Sequence, residues 1–349
     1  MRRTTQNMSK RIIFCADGTW DSPANQTNVY TLFKAVPMAS DQVAYYDDGV
    51  GSDGSLIEKL TGGAFGDGIF QKIKDGYTKI AQVYEPGDDL FIFGFSRGAY
   101  TARSLAGMIA VSGLPSASFD DNLVNSAFNA YRQRDPNQRN AILAGLLKYA
   151  LYDAKIKMVG VWDTVGALGI PALLGGVDSI FYGFLDTNLH PDVLNSYQAL
   201  AIDERRREFP PTLWTPPSPP VAGQTLQQVW FSGVHCDVGG GYPETDLSDI
   251  TLSWMMGQAT KLGLQFDPKV SAQYAAIEAK NALGQIHTSW SVMWGFPKSR
   301  TVPNNTVVSN SVPIRVGYES SYQPENLTLI NGELAPSYQV MPVVAPPPA

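Results

Sequence analysis

The segment Asp89–Gly113 constrains the fold more than any other stretch of this 349-residue chain. It begins with the apolar run DLFIFGF, passes through a short turn and continues as RGAYTARSLAGMIAVSG, where apolar residues recur at helical spacing until Gly113 and Pro115. A strand that is apolar at consecutive positions is covered on both faces, and parallel strands are joined by helices. The segment therefore predicts an α/β fold.

Other apolar runs repeat this character, and a helical pattern, GDGIFQKIKDGYTKIAQVY, lies between two of them. The runs are KRIIFCA (10–16), QVAYY (42–46), KIKMVGVW (155–162) and LQQVWFSGV (226–234). We predict a mostly parallel central sheet with helices on both faces and insertions at its carboxyl edge. One domain is expected over residues 10–335, with a flexible N-terminus at 1–9 and a Pro-rich tail at 336–349.

Composition excludes several classes of protein. The net charge is −6 and no dense Lys/Arg stripe occurs, which argues against a nucleic-acid partner. The opening MRRTTQNMSKR has no apolar segment behind it, so it is not a Sec signal peptide. Only Cys15 and Cys236 are present, which suits a reducing compartment. The sequence predicts a protein that is cytoplasmic as synthesised.

The turn between the strand and the helix has the spacing G-x-S-x-G, with Ser96 at its centre and Gly94 and Gly98 on either side. In a nucleophile elbow, a strained serine at this place projects its hydroxyl above the sheet, and the two glycines leave room for the backbone. The backbone N–H of Arg97, at the start of the helix, would then stabilise an oxyanion. The alternative is a small polar residue in an ordinary turn.

A serine hydroxyl needs a base, usually histidine, to become a nucleophile. Of the three histidines, only His235 directly follows a predicted core strand, whereas His190 and His287 do not. This placement predicts that His235 lies at the same sheet edge as Ser96.

The acid that would orient His235 is predicted at Asp163, where the apolar strand KMVGVW ends. Its alternative role is to cap whatever follows. The chain order Ser96, Asp163, His235 is that of α/β-hydrolases. Asp237 and Asp246 remain alternative orienters because they lie nearer to His235 in sequence.

The loop CADGTWD follows the first predicted strand. The backbone N–H of Gly18 or Thr19 would supply a second oxyanion donor there, with Asp17 in a supporting role. Asp17 and Thr19 are also typical of a plain Asx turn. Both readings are compatible.

Lid-like insertions are expected at about residues 165–225. Their first part, Val165 to Leu185, is largely apolar and predicts either a lid or acyl-chain wall, or an insertion packed on the core. Arg97 and the block DERRR (Asp203 to Arg207) are candidates for holding a phosphate or carboxylate of a substrate, with a purely structural role as the alternative.

Three hypotheses for function follow. The first is a serine-dependent carboxylic ester hydrolase. The second is a metal-dependent hydrolase with Asp17, Asp163, His235 and Asp237 as ligands, and the third is a catalytically silent binding module. The Asp-rich loop YYDDGVGSDGS lacks the residue order of a calcium-binding EF-hand loop, so no metal or other cofactor is assigned.

Six blocks of the sequence, in order, resemble a large α/β-hydrolase domain family of formally unknown function. They are FCADGTWD, YYDDGVGS, YEPGDDLFIFGFSRGAYTARSLAGMI, VGVWDTVGALG, ALAIDERRREFPPTLW and FSGVHCDVGGGY. That family includes the catalytic domains of phospholipase effectors delivered by type VI secretion. The resemblance implies a triad of Ser96, Asp163 and His235. It also implies an ester or lipid substrate, transient contact with a membrane surface, export by a specialised secretion system and, for an effector, an immunity or secretion partner.

Overall fold

The computed structural model describes residues 9–18, 21–49, 64–115, 118–166 and 187–344. Its strands are β1 (Arg11–Ala16), β2 (Gln42–Asp47), β3 (Asp89–Phe95), β4 (Leu114–Pro115), β5 (Leu151–Tyr152), β6 (Ile156–Trp162), β7 (Asn195–Ala201), β8 (Thr225–Phe231), β9 (Val307–Ser309), β10 (Leu329–Ile330), β11 (Glu333–Leu334) and β12 (Gln339–Met341). Its α-helices are α1 (Asn28–Ala35), α2 (Ala64–Ala81), α3 (Ser96–Ser112), α4 (Asp121–Arg132), α5 (Pro136–Leu146), α6 (His235–Gly239), α7 (Asp246–Lys261), α8 (Pro268–Ala275) and α9 (Ser311–Tyr318).

Eight of these strands form one sheet in the order β12-β9-β8-β7-β6-β3-β1-β2. Every neighbouring pair in it is parallel. Parallel neighbours require crossover connections, which place helices on the faces of the sheet. The predicted α/β-hydrolase architecture is confirmed, and the carboxyl ends of β3, β6 and β8 lie along one edge.

Side chains of successive strand residues point to opposite faces, so each face of the sheet has its own core. On one face, Phe14 and Ile92 pack with α2, α3 and α4. On the other face, Phe93 and Trp162 pack with α1 and α7. The apolar runs of the sequence are therefore buried on both faces, as a strand in the middle of a parallel sheet must be.

Strand β7 is the largest departure from the sequence-based prediction. It lies between β6 and β8, inside the range 165–225 that was expected to be an insertion. Its sequence NSYQALA carries Ser196 and Gln198, which interrupt the apolar pattern although both are buried. The amide of Gln198 is satisfied because it accepts hydrogen bonds from Thr164 and Arg103. Burial of a polar residue with partners is not visible in a hydropathy pattern.

The predicted boundary at residue 335 also differs from the structure. Residues Gln339–Met341 form β12 and pair with β9 at the edge of the main sheet, and Pro342 follows the pairing. An edge strand tolerates a proline at its end because no ladder bond is lost there. Most of the predicted flexible N-terminus (1–8) and the end of the tail (345–349) lie outside the described residues.

The two cysteines, Cys15 and Cys236, are both free thiols. Within the described ranges, no helix combines the length and the apolar composition needed to cross a membrane.

Candidate active site

Ser96 lies at the first position of α3, immediately after β3, with a backbone φ of 56°. This is the left-handed region, which non-glycine residues rarely adopt unless the surrounding structure holds them there. A Cβ on Gly94 would lie 2.4 Å from the carbonyl oxygen of Gly98, and a Cβ on Gly98 would lie 2.3 Å from that of Ala16. Neither position tolerates a side chain, as the elbow prediction requires.

His235 connects Ser96 to Asp163 through its two ring nitrogens. Its Nε2 lies 2.8 Å from Ser96 Oγ, and its Nδ1 lies 2.5 Å from Asp163 Oδ2. All three side chains are buried; Ser96 and Asp163 directly follow β3 and β6, and His235 is the first residue of α6, which follows β8. The structure therefore brings the three predicted catalytic residues into the arrangement of a serine–histidine–acid triad.

Asp163 has a further partner, Arg300, that the sequence analysis missed. Arg300 Nη1 donates to Asp163 Oδ1 at 2.6 Å and Nη2 donates to Oδ2 at 2.8 Å. Arg300 also donates to the carbonyl oxygens of Ala201 and Phe209, and it is 6% exposed. A buried bidentate guanidinium–carboxylate pair fixes the plane of the Asp163 carboxylate. It thereby fixes the direction of the hydrogen bond between Asp163 and His235.

The electrostatics of the three groups suit a neutral base. Burial alone would raise the pKa of Asp163, but Arg300 and His235 outweigh it, so the pKa lies far below its ordinary value and the group is a carboxylate. Burial lowers the pKa of His235, although the hydrogen bond and charge of Asp163 act in the opposite sense. The imidazole is therefore neutral at neutral pH and able to accept a proton.

Aromatic rings and a buried acid fix the position of His235. The ring of Phe95 lies 4.6 Å from the imidazole, centroid to centroid, and the ring of Phe209 meets it edge-on at 5.1 Å. The backbone N–H of His235 donates to Glu204 Oε2 at 3.2 Å. Glu204 is in turn bridged by Arg206, whose guanidinium lies 3.6 Å above the ring of Phe209. The predicted DERRR block thus reaches the triad, through a buried ion pair beside His235.

The alternative orienters and bases lie elsewhere. Asp237 Oδ2 accepts from the N–H of Val234, and Oδ1 lies 2.6 Å from Nδ1 of His287, so Asp237 makes its own pair with a different histidine. Asp246 begins α7 and accepts from Asn281. His190 lies near Asp192. The geometry therefore favours Asp163 as the partner of His235.

The predicted oxyanion donors have different surroundings. The amide of Arg97 is in the first turn of α3, next to Ser96. Gly18 lies against Ser96, since a Cβ on it would be 3.3 Å from Ser96 Cβ, but its N–H donates to Asp17 Oδ1 at 2.8 Å. Asp17 thus builds the local turn, and the Gly18 N–H is engaged in it. Thr19 lies outside the described residues.

Asp17 and Asp21 place two acids beside the nucleophile. Asp17 is buried and accepts from Thr27 and Tyr46, and its pKa is raised because burial outweighs these bonds. A Cβ on Gly18 would lie 2.3 Å from Asp21 Oδ2, which places this carboxyl next to the same loop. Burial and the charge of Asp17 raise the pKa of Asp21 to about 7, against the opposing charge of Arg97.

The metal hypothesis required a shared set of ligands. The described ranges contain no group of three or more His, Cys, Asp or Glu side chains arranged to hold a metal ion. Both oxygens of Asp163 already accept from Arg300. Most of the apolar stretch Val165 to Leu185 lies outside the described residues, so its role as a wall or an insertion stays a prediction.

Comparison with known protein families identifies the family to which this chain belongs. Residues 10–258 match the family described as "T6SS, Phospholipase effector Tle1-like, catalytic domain". The chain belongs to this family. The suspected resemblance is confirmed over most of the sequence, and the Tle1-like family is one of ester hydrolases.

A eukaryotic protein is similar to this Tle1-like domain in sequence, and two bacterial structures are similar to it at a lower level. Uncharacterized protein YEL023C of Saccharomyces cerevisiae is 31% identical over 233 residues, 59% of this chain and 33% of its own length. An uncharacterized protein from Pseudomonas aeruginosa has a TM-score of 0.46 at 17% identity, covering 76% of this chain and 48% of that one. The carboxylesterase Cest-2923 from Lactobacillus plantarum has a TM-score of 0.39 at 12% identity, covering 74% and 89%. The chain thus spans a third of the curated relative and about half of the first structure.

Arg300 lies beyond the range that matches the Tle1-like family. No motif surrounds it in the sequence KSRTVP, and 137 positions separate it from Asp163. Of the charged residues that surround Asp163 and His235, only Glu204 and Arg206 were detectable from the sequence, because they belong to the conspicuous block DERRR.

Proposed function

We propose that this chain is a serine-dependent carboxylic ester hydrolase that works through an acyl-enzyme intermediate. The observation that carries the proposal is the continuous line of contacts from Ser96 Oγ through both nitrogens of His235 to Asp163. Membership of the Tle1-like family supports ester hydrolysis as the class of reaction.

In the first half of the reaction, Ser96 Oγ attacks the ester carbonyl carbon while His235 Nε2 accepts the hydroxyl proton. The lowered pKa of His235 keeps its imidazole ready to accept that proton. Asp163 accepts from Nδ1 and stabilises the imidazolium that forms. Arg300 keeps Asp163 ionised during this step.

The tetrahedral intermediate carries a negative charge on the former carbonyl oxygen. We assign its stabilisation to the backbone N–H of Arg97, supported by the N-terminal end of the α3 dipole. A second donor comes from the loop after β1, for which Thr19 is the remaining candidate because the Gly18 N–H donates to Asp17.

Collapse of this tetrahedral intermediate completes the first half of the reaction, the acylation of Ser96. The imidazolium of His235 gives its proton to the leaving alcohol, and the acyl group stays on Ser96 Oγ. Water then attacks the acyl-enzyme with His235 as the base, which releases the acid and restores the serine. The proton count balances because His235 is neutral before and after each half.

The substrate class follows from the family. Its description as a phospholipase effector domain favours a lipid ester of phospholipase A type, whose acyl ester suits this chemistry. Contact with a membrane surface, export by a specialised secretion system and an immunity partner belong to the same proposal.

A fluorophosphonate probe tests the nucleophile directly, because it labels only an activated serine. Wild type should be labelled, and Ser96→Ala should lose the label and reduce turnover of an activated ester about 10³-fold or more. Ser104→Ala is a matched control, since Ser104 is a buried serine on the same helix with no hydrogen-bond partner in the described part of the chain.

The control variant should keep both the label and the turnover. A chelator should leave wild-type activity unchanged. An unlabelled wild type, a Ser96→Ala protein with wild-type turnover, or activity that a chelator abolishes would each rule out the serine route.

A further inference from the structure

A cavity on the α3–α4 side of the sheet lies apart from the triad. Its volume is about 70 Å³, and it lies between α3, α4, α5, β6 and the segment before β7. One enclosed water needs roughly 10–15 Å³, so the space holds several waters or one tetrahedral oxoanion. The residues that matter for its chemistry are Arg103, Tyr131, Arg134, Arg139, His190 and Trp214, and we call it the Arg103 cavity.

Arg103 carries a buried positive charge without an acidic partner in the described part of the chain. It is 4% exposed, and its guanidinium donates, among the described residues, to neutral acceptors: Thr212 O at 2.5 Å, Gln198 Oε1 at 3.3 Å and Leu213 O at 3.5 Å. Among the described residues, its Nε has no hydrogen-bond partner. Trp214 covers one face of the guanidinium at 4.2 Å. Burial lowers the pKa of Arg103 to about 9, which reflects the cost of holding this charge away from water.

Among the described residues that line the cavity, the permanently charged side chains are arginines. Arg134 is exposed, Arg139 is half-buried, and both line the space with Arg103. None of the described lining residues is an aspartate or a glutamate. His190 faces Asp192, at 3.6 Å from Nδ1 to Oδ2. A cluster of three arginines is unexpected in a protein whose net charge is −6.

We propose that the Arg103 cavity binds one small oxoanion, a phosphate or a carboxylate group, with Arg103 at its buried end and Arg134 and Arg139 at its rim. Guanidinium groups match the geometry of both anions, and a bound oxygen would accept the hydrogen bond that Arg103 Nε now lacks. The apolar remainder of the lining suits the short organic part of an organic phosphate or acid.

This site is separate from the proposed catalytic centre. Arg103 lies seven residues after Ser96 on α3, about 10 Å along the helix axis. Gln198 nevertheless links the two, because its Oε1 accepts from both Arg103 and Thr164, and Thr164 follows Asp163. The amide of Gln198 is therefore shared between Arg103 and the residue that follows Asp163.

The test measures anion binding to the full chain by calorimetry and by thermal melting, at constant ionic strength set with chloride. The probes are inorganic phosphate, glycerol 3-phosphate and hexanoate, which separate a phosphate group from a carboxylate. Wild type should show saturable binding of at least one probe, with a rise in Tm of a few degrees. Arg139→Gln and Arg134→Gln should each weaken that binding about tenfold or more.

Arg132→Gln is the matched control, because Arg132 is an exposed arginine on α4 that stacks on Phe70 and does not line the cavity. It should bind the probe with wild-type affinity. Arg103→Gln should abolish binding. If this variant fails to fold, the affinities of Arg134→Gln and Arg139→Gln test the proposal instead. The proposal is overturned if no probe binds better than chloride, or if Arg132→Gln weakens binding as much as the rim variants do.

Discussion

Arg300 pairs with Asp163, and this pair should affect both the stability of the protein and the pH dependence of catalysis. Replacing Arg300 by glutamine should reveal both effects. The change removes donors at 2.6 and 2.8 Å from a fully buried carboxylate. Removing one partner of a buried ion pair costs about 3–5 kcal/mol, because the remaining charge is left in a low-dielectric interior. Urea unfolding should show this loss, and Tm should fall by about 4–7 °C, given roughly 2.1 cal/mol/K of unfolding entropy per residue over 349 residues.

The same change should move the pH dependence of catalysis. In wild type, Asp163 shares its negative charge between Arg300 and His235. Without Arg300 that charge acts on the imidazolium alone, so the pKa of His235 should rise and the acid limb of kcat/KM should shift to higher pH. A shift of about one pH unit corresponds to about 1.4 kcal/mol of added stabilisation of the imidazolium.

The acid side of the stability profile should change as well. The folded pKa of Asp163 lies below its unfolded value, so its contribution is present above about pH 3.9 and is lost only as pH falls through the lowered folded pKa. Without Arg300 the folded pKa rises, so the contribution of Asp163 is smaller and its loss is complete at a higher pH.

Arg315→Gln distinguishes a positioning role from a loss of packing. Arg315 is also buried and pairs with Glu319, but it donates to Ala282 and Gly284, away from the triad. This variant should lose stability while keeping the wild-type acid limb. If Arg300→Gln shifts the limb no further than Arg315→Gln does, or unfolds at the wild-type midpoint, the role given to Arg300 is refuted.

Three more outcomes are expected. Asp163→Asn should lower kcat on the order of 10³–10⁴-fold, while Asp237→Asn, whose carboxylate pairs with His287, should have a small effect; the reverse ranking in steady-state kinetics would reassign the orienter. Because the pKa of Asp21 is raised to about 7, ionisation above that pH places a negative charge near the forming oxyanion and removes stability that is present at pH 4. Asp21→Asn should therefore be more active and melt higher than wild type at pH 8 and match it in Tm at pH 4, and equal pH profiles for both proteins would contradict this. Finally, kcat/KM on p-nitrophenyl esters should rise roughly fourfold per added CH₂ until an acyl pocket is full, at about 0.8 kcal/mol each, and a flat series would remove the acyl wall predicted at 165–185.

The central part of the fold could be read from the sequence because its strands are apolar without interruption. β1, β3 and β6 were predicted within one residue of their observed ends, and Gly113 ends α3 with a positive φ, as its position predicted. These signals are local, since both depend on one residue and its immediate neighbours.

The strands that escaped prediction depend on partners far away in sequence. β7 buries Ser196 and Gln198, and the place of Gln198 in the core depends on hydrogen bonds that a hydropathy pattern does not encode. β9 and β12 are three residues each and exist through pairing along the edge of the sheet. Tertiary context decides such short segments, because their intrinsic preference for a strand is weak.

In the candidate site, too, some residues could be predicted from the sequence and others could not. Ser96, Asp163 and His235 were placed by the rule that parallel strands end at a common edge. Arg300 and Phe209 were not, because each reaches the site from a connection without regular structure. A histidine that neighbours an acid in sequence, as His235 neighbours Asp237, is a poor guide when the chain turns that acid towards His287.

The position of Arg300 in the chain limits how this protein can be dissected. A fragment ending at residue 258 would contain every residue of the triad, yet it would lack the cation that neutralises Asp163 and two of the eight sheet strands, β9 and β12. It would also leave β8 as an open edge, which invites association with other chains. The smallest fragment expected to be expressed as a well-behaved protein therefore extends past Met341, and transferring Ser96, Asp163 and His235 to another scaffold would require carrying this C-terminal part, about a quarter of the chain, along.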